Sequence, residues 1–374
     1  MRDVVEIGRG KTAHSGYNLQ DVSLRPSRRT RDVDDVSTAW QLDAYQFEIP
    51  CVAHPSDATM SPKTAGELGR LGGLGVLNAE GLWCRYEDPT PLLAELSDLD
   101  FKGGSTARLQ QMYSEPIKPE LIAQRVKEIR DSGATVALRV SPQHTIALSP
   151  VILDAGVDVL VIQGTIVSAE HVSVQDEPLN LKEFIADLDL PVVVGGCTNY
   201  MTALHLMRTG AAGVIVGVGA DWWSTTHDVL GIAVPMASAI ADAAAARRDY
   251  LDETGGRYVH LIADGDIHTS GDIAKAIACG ADAVMIGEPL RECDAAPAGG
   301  AWWHSAASHP KLPRGNYSSG TDVDEERVSM ETLLYGPAAI PDGTVNLFGG
   351  LRRSMAKCGY SNVKEFQKVD LTLS

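Results

Sequence analysis

The chain has 374 residues, 44% of them hydrophobic, and a formal net charge of −17. Such a composition supports a sizeable core and is far from disordered, and the length, long for one ordinary domain, falls within the range of an α/β barrel with additions. The negative charge excludes a nucleic-acid partner unless some patch is strongly basic, and no apolar run approaches the ~20 residues a membrane helix needs.

The N-terminus, MRDVVEIGRGK, is charged and lacks the apolar core of a signal peptide. Residues 1–46 read as an N-terminal arm with little periodicity. Its basic cluster, Arg25 to Arg31, is followed at once by Asp32, Asp34 and Asp35, which suits a solvated or intersubunit arm better than a polyanion site. From Ile49 onward eight short apolar runs alternate with helix-length amphipathic segments: 50–54, 74–78, 135–140, 157–162, 191–195, 213–218, 258–263 and 283–287. They are rich in Val, Ile and Leu without clean alternation, the pattern of strands buried on both faces. The helical segments carry recognisable punctuation. Ser61 with Pro62 opens one that ends in glycine, residues 118–133 also stop at a glycine, and Asp272 sits in the first turn of 269–280. Small pairs (Gly133-Ala134, Ala155-Gly156, Gly210-Ala211, Gly280-Ala281) precede four of the strands and permit tight turns into them.

This alternation predicts a (β/α)8 TIM barrel over residues 47–290, with a doubly wound open sheet as the structural alternative. Residues 291–345, rich in Gly, Pro, Ala and Ser, break the rhythm and read as a long flap-like insertion after strand 8. Residues 346–374 return to a helix-forming pattern and predict a C-terminal helix. The six cysteines, at 51, 84, 197, 279, 293 and 358, form no CxxC pair. That spacing argues against a metal site or disulfide framework and for a reducing, cytoplasmic setting.

One stretch stands out as a site: Gly213 to Ala239, an apolar strand, a long loop and a helix, the layout of a site at the carboxyl end of a parallel strand. Trp222, Trp223, Ser224, Thr225, Thr226 and His227 crowd that loop.

At Asp264-Gly265, with SGDIAKAIACGADAVMIG, the chain resembles the IMP dehydrogenase and GMP reductase family. QDVSLRPS, GRLGGLGVLNAEG, DAGVDVLVI, GIAVPMASAI and GGLRRSMAKCGY extend the resemblance, in the family's order, over nearly the whole chain. The family's regulatory CBS pair needs roughly a hundred or more residues, whereas about 45 separate Gly81 from Val126. The chain therefore looks most like a compact subgroup without CBS domains. The resemblance implies a loop cysteine that adds to purine C2, hydride transfer to NAD and hydrolysis of the covalent intermediate; in the reductase, NADPH drives loss of ammonia. A thiolate suits that role, being soft and appreciably ionised near neutral pH. Here the nucleophile position falls on Ser224, and the family threonine that follows is Thr226.

The substrate positions implied are Asp264 for ribose, with Gly265 beside it, and a phosphate site of Trp222, Asp266, Gly287 and Glu288. Three of those four depart from the family: Trp222 and Glu288 replace serines and Asp266 replaces a glycine. Two acids near a phosphate dianion repel it by ~1 kcal/mol per pair at about 4 Å in water, and more when partly buried. On the cofactor side the resemblance implies Gln163, in place of an aspartate, with Gly217 and Gly219, a glycine pair that says little of a nucleotide by itself. Gly196 replaces an asparagine, and WWHSAAS (302–308) replaces the flap sequence. The family's potassium site uses carbonyls of the central loop, and Asp221 there argues against it. A homotetramer is the family's usual assembly.

Each of these residues also has a bland reading. Ser224 is a nucleophile or a loop hydroxyl bonded to nearby backbone; a hydroxyl needs a base, and nothing in the sequence brings His227 to it. Trp222 and Trp223 stack a ligand base or fill the vacated phosphate pocket. Asp264 binds a sugar hydroxyl or caps the helix from Thr269. Asp266 and Glu288 hold a cationic group or are solvated. Trp302, Trp303 and His304 line a flap or anchor a loop, and His54 and His144, at strand ends, serve a site or a structural hydrogen bond. Two functions stay open: an NAD-dependent oxidoreductase converting IMP to XMP, its ligand a purine nucleotide monophosphate, and a catalytically inactive relative acting as a binding, regulatory or assembly protein in purine metabolism.

Overall fold

The computed structural model describes residues 4–98, 104–172, 178–218, 223–322 and 327–373. Eight parallel strands lie where the apolar runs place them: β1 (Cys51–Ala53), β2 (Val76–Asn78), β3 (Ala137–Val140), β4 (Val159–Gln163), β5 (Val192–Cys197), β6 (Gly213–Val216), β7 (His260–Asp264) and β8 (Ala283–Ile286). From β2 onward each pairs with the next, and β8 pairs with β1. A parallel bridge between Val52 and Leu74 closes the ring at β1 and β2. This is a (β/α)8 barrel, and the open-sheet alternative is excluded by that closure.

Burial on both faces explains the runs of Val and Ile. Val193, Ile215, Ile262 and Met285 fill the barrel interior, while Val194, Val214, Leu261 and Val284 face the helices. The helices are α1 (Pro62–Arg70), α2 (Pro119–Asp131), α3 (Thr145–Asp154), α4 (Leu181–Ala186), α5 (Tyr200–Met207), α6 (Met236–Thr254), α7 (Ser270–Cys279) and α8 (Leu347–Cys358). Ser61 caps α1 by accepting from the Thr64 N–H, with Pro62 in the first turn. Thr269 and Asp272 cap α7 reciprocally. The C-terminal helix α8 packs on α7 and so completes the outer ring.

The arm contributes more than solvated chain. Its hairpin, Trp40–Leu42 with Tyr45–Phe47, buries Trp40, Leu42 and Phe47 in the same cluster as the barrel interior. Residues Val22–Arg25 pair antiparallel with Asp370–Leu373, tying the two ends of the chain together. The insertion after β8 contains a short antiparallel pair, Trp302–Trp303 with Tyr317–Ser318. Together with the helices Thr90–Asp98 and Ser105–Met112 it forms a third apolar cluster.

Candidate active site at the barrel mouth

A cavity of about 640 Å³ opens at the carboxyl ends of the strands, where barrels of this class place their chemistry. His54 after β1, Arg139 on β3, Gln163 on β4 and Asp264 on β7 line it, with Ser224, Thr226 and part of the insertion. A larger cleft of about 1200 Å³ lies between residues 33–38 and α8, and another of about 650 Å³ near Asp43 and His260. Neither gathers the strand-end side chains, so the mouth is the candidate site.

Gln163, Gly217, Ser224, Thr226, Asp264 and Gly265 converge there, while Gly219, Asp221 and Trp222 lie outside the described residues. The potassium expectation rests on carbonyls of that same undescribed stretch. Gln163, 8% exposed, donates from Nε2 to Asp264 Oδ2 at 2.8 Å. The cap of α7 is made by Thr269 and Asp272 between themselves, not by Asp264. Gly217 has φ +140°, and a Cβ there would lie 1.8 Å from the Asp264 carbonyl oxygen. Glycine is required at 217 by close approach to β7, whatever the ligand.

Ser224 is engaged within its own turn. Its hydroxyl donates to Thr226 Oγ1 at 3.0 Å and accepts from the Thr226 N–H at 3.3 Å, and His227 is exposed. The insertion clamps this loop: the Gly315 N–H donates to Thr225 Oγ1 (2.7 Å) and the Asn316 N–H to the Trp223 carbonyl (2.7 Å). No cysteine substitutes for the missing thiol. All six are described and none lines the cavity. Burial pushes Cys84, Cys197 and Cys293 up to about 12 and Cys279 to about 11, and raises Cys51 and Cys358 as well.

The loops after β7 and β8, the usual phosphate cradle of such barrels, carry Asp266, Gly287 and Glu288. The Trp302 indole, 2% exposed, lies over Gly287, where a Cβ would sit 2.4 Å from Cη2. Asp266, in the left-handed region at φ 57°, lies 4.0 Å from His268 Nε2. Glu288 lies 3.3 Å from His268 Nδ1 and 4.0 Å from Arg291 Nη1. The two acids thus have side-chain partners, His268 for both and Arg291 for Glu288, rather than being merely solvated. Arg291, 3% exposed, also stacks its guanidinium 5.4 Å from the Trp223 ring centroid.

The other side of the mouth holds Arg139, Glu80, Asp57 and Tyr113, which the sequence reading passed over, beside His144, which it named. Arg139 Nη2 donates to the Gln163 carbonyl at 2.7 Å, and its Nη1 lies 3.7 Å from Glu80 Oε1. Glu80 accepts from His144 Nδ1 at 2.6 Å and from the Ser141 N–H. Burial alone would raise the Glu80 carboxyl, but His144, Arg139 and Ser141 together hold it at about 2; the same bond to Glu80 raises His144. Asp57, fully buried, accepts from the Tyr113 hydroxyl and the Leu82 N–H, yet burial pushes it up to about 6. Trp303 Nε1 donates to Tyr113 Oη at 3.1 Å, so Trp303 anchors rather than lines the mouth. An arginine inside TVALRV was the signal available for this side, a charge in a run otherwise buried on both faces.

The sequence model described as the IMP dehydrogenase / GMP reductase domain matches residues 16–373. The chain belongs to that family. A Mycolicibacterium smegmatis protein named an uncharacterized oxidoreductase is 58% identical, covering 99% of this chain and 100% of its own. An inosine-5'-monophosphate dehydrogenase of Aquifex aeolicus is 32% identical over 97% of this chain and 76% of its own. The crystal structure of an IMP dehydrogenase/GMP reductase-like protein from Corynebacterium glutamicum superposes with a TM-score of 0.93 at 50% identity, covering 100% of this chain and 98% of that one. Among the described residues no group of three or more His, Cys, Asp or Glu is placed to hold a metal ion, and no helix is long and apolar enough to cross a membrane.

Proposed function

We propose that this family member binds a purine ligand through the ribose end of the mouth, at Asp264, and does not convert IMP to XMP by covalent thiol chemistry. The observation that carries the reading is the Trp302 indole packed on Gly287, in the loop to which the family resemblance assigns the 5'-phosphate. The engaged Ser224 hydroxyl supports it from the nucleophile side. The same reading takes the protein to be a cytoplasmic homotetramer, as the family resemblance implies.

Hydride transfer to a nicotinamide is the second reading, favoured by the oxidoreductase names of the relatives and by one atom. Gln163 Oε1 is buried without a hydrogen-bond partner on a residue that lines the cavity, and an acceptor there fits the carboxamide N–H of a nicotinamide. Bound NAD would supply the hydride acceptor; Gln163 would orient its ring.

The test is twofold. NADH absorbance with IMP and NAD is expected to match the protein-free control, and enzyme-like turnover would overturn the proposal. Inosine at about 100 times its dissociation constant is expected to stabilise the protein by ~2.7 kcal/mol, with affinity falling at least tenfold in Asp264→Ala. An unchanged affinity would remove Asp264 from the site. NADH growing with inosine in place of IMP would establish the hydride-transfer reading.

A further inference from the structure

We infer that Arg139 and Arg314 form an oxyanion-binding subsite on the β3–β4 side of the barrel mouth. It lies four strands around the ring from the loops after β7 and β8. The inference deepens the proposed function and rests on it. A ligand whose hydroxyl-bearing part reaches Asp264 would place its phosphate toward β3 and β4, the reverse of the orientation that a cradle after β7 and β8 would impose.

Charge gives the first argument. The chain carries a net −17, yet Arg85, Arg139 and Arg314 line this cavity, and Asp264 is the one acid among its described lining residues. A concave, low-dielectric mouth lined mostly by one sign of charge concentrates ligands of the other sign.

Geometry gives the second. Both guanidinium groups are pinned to the same turn at the end of β4. Arg139 Nη2 donates to the Gln163 carbonyl (2.7 Å), and Arg314 Nη2 donates to Thr165 Oγ1 (3.1 Å). Arg314 comes from the insertion, so the subsite is assembled across the mouth by a barrel strand and the segment that covers it. Each fork is held in place before any ligand arrives, which reduces the ordering cost of binding.

Unspent donors give the third. Arginine presents five N–H groups in a fixed plane that matches a phosphate or carboxylate edge. Arg314 uses Nη1 for the Leu312 carbonyl and Nη2 for Thr165, which leaves its buried Nε without a partner. Each Nη also keeps a second N–H beyond the one that braces the turn, and those are the donors an oxyanion in the cavity would take. The carboxylate nearest Arg139 is Glu80 at 3.7 Å, and Glu80 already accepts from His144 and Ser141. His309 adds a donor at the rim. Its Nδ1 accepts from the Lys311 and Leu312 N–H groups (3.2 and 2.9 Å), which places its proton on Nε2.

Phosphate chemistry at this subsite has two sources, the 5'-phosphate of a nucleoside monophosphate or the diphosphate of a dinucleotide. Isothermal titration with inorganic phosphate, IMP against inosine, and NAD against nicotinamide riboside separates them. Inorganic phosphate is expected to bind the wild-type protein, and whichever phosphate-bearing partner of a pair binds tighter names the source. Arg314→Gln is expected to weaken phosphate at least tenfold with an unchanged melting temperature, and Arg314→Lys to weaken it less. Arg139→Lys is expected to act in the same direction; should it misfold, Arg314→Gln decides. Three results would overturn the inference: no binding of phosphate to the wild type, wild-type affinity in Arg314→Gln, or tighter phosphate binding in Glu288→Gln, which would put the anion back after β7 and β8. IMP turnover would overturn the proposed function instead, whatever the arginine variants do.

Discussion

Ser224 shows how much a single atom decides at this mouth. A thiol there would ionise appreciably near neutral pH, whereas a hydroxyl needs a base, and this one is hydrogen-bonded to Thr226. On the proposed reading, supplying the sulfur alone would not repair the site, because Trp302 still packs on Gly287 and Asp266 and Glu288 remain in the same loops. Ser224→Cys is therefore expected to yield no NADH from IMP and NAD, with stability within about 1 kcal/mol of wild type, the worth of an ordinary hydrogen bond. Turnover in that single variant would show the pocket to be open. The serine and the two acids were legible in the sequence because a family pattern assigned their positions. Their pairing with His268 and Arg291 was not, since it depends on how three separate loops approach one another.

At the scale of elements, the insertion reaches the mouth through a strand pair only two residues long on each side, Trp302–Trp303 with Tyr317–Ser318. Its composition, rich in Gly, Pro and Ala, marked it as irregular and as a cover for the site. Composition could not say which way the paired tryptophans face, because that follows from long-range packing on the helices Thr90–Asp98 and Ser105–Met112. Trp303 turns into that packing and Trp302 onto Gly287. Removing the indole leaves a large cavity, so Trp302→Ala is expected to cost ~3–5 kcal/mol in denaturant titration. Trp302→Phe should cost less, since much of the ring volume is kept. Neither is expected to create IMP turnover while Asp266 and Glu288 remain. A Trp302→Ala protein as stable as wild type would mean that the indole is not packed there.

For the molecule as a whole, eight strands were readable as apolar runs because a closed barrel buries each of them on both faces. The plug formed by Trp40, Leu42 and Phe47 and the pairing of Val22–Arg25 with Asp370–Leu373 join distant parts of the chain and left no local pattern. The same long-range assembly buries two carboxyls with opposite consequences for stability against pH. Glu80 is held at about 2 in the fold, below its ordinary ~4.3. The stability it contributes is therefore present above about pH 5 and lost as pH falls toward 2. Asp57 is raised to about 6, above its ordinary ~3.9. Its contribution is full below about pH 4 and lost as pH rises through 6, because the unfolded chain releases that proton first. Glu80→Gln, which strips the buried Arg139 of its carboxylate, is expected to cost ~3–5 kcal/mol near pH 7, and less as the wild-type carboxylate is itself protonated toward pH 2. Asp57→Asn is expected to gain on the wild type from about pH 4 to pH 7, by roughly one to three kcal/mol across the interval. Urea midpoints measured for both variants across that range check the pair. Parallel curves for wild type and Asp57→Asn would show that the Asp57 carboxyl titrates normally, and a Glu80→Gln cost that does not shrink in acid would show the same of Glu80.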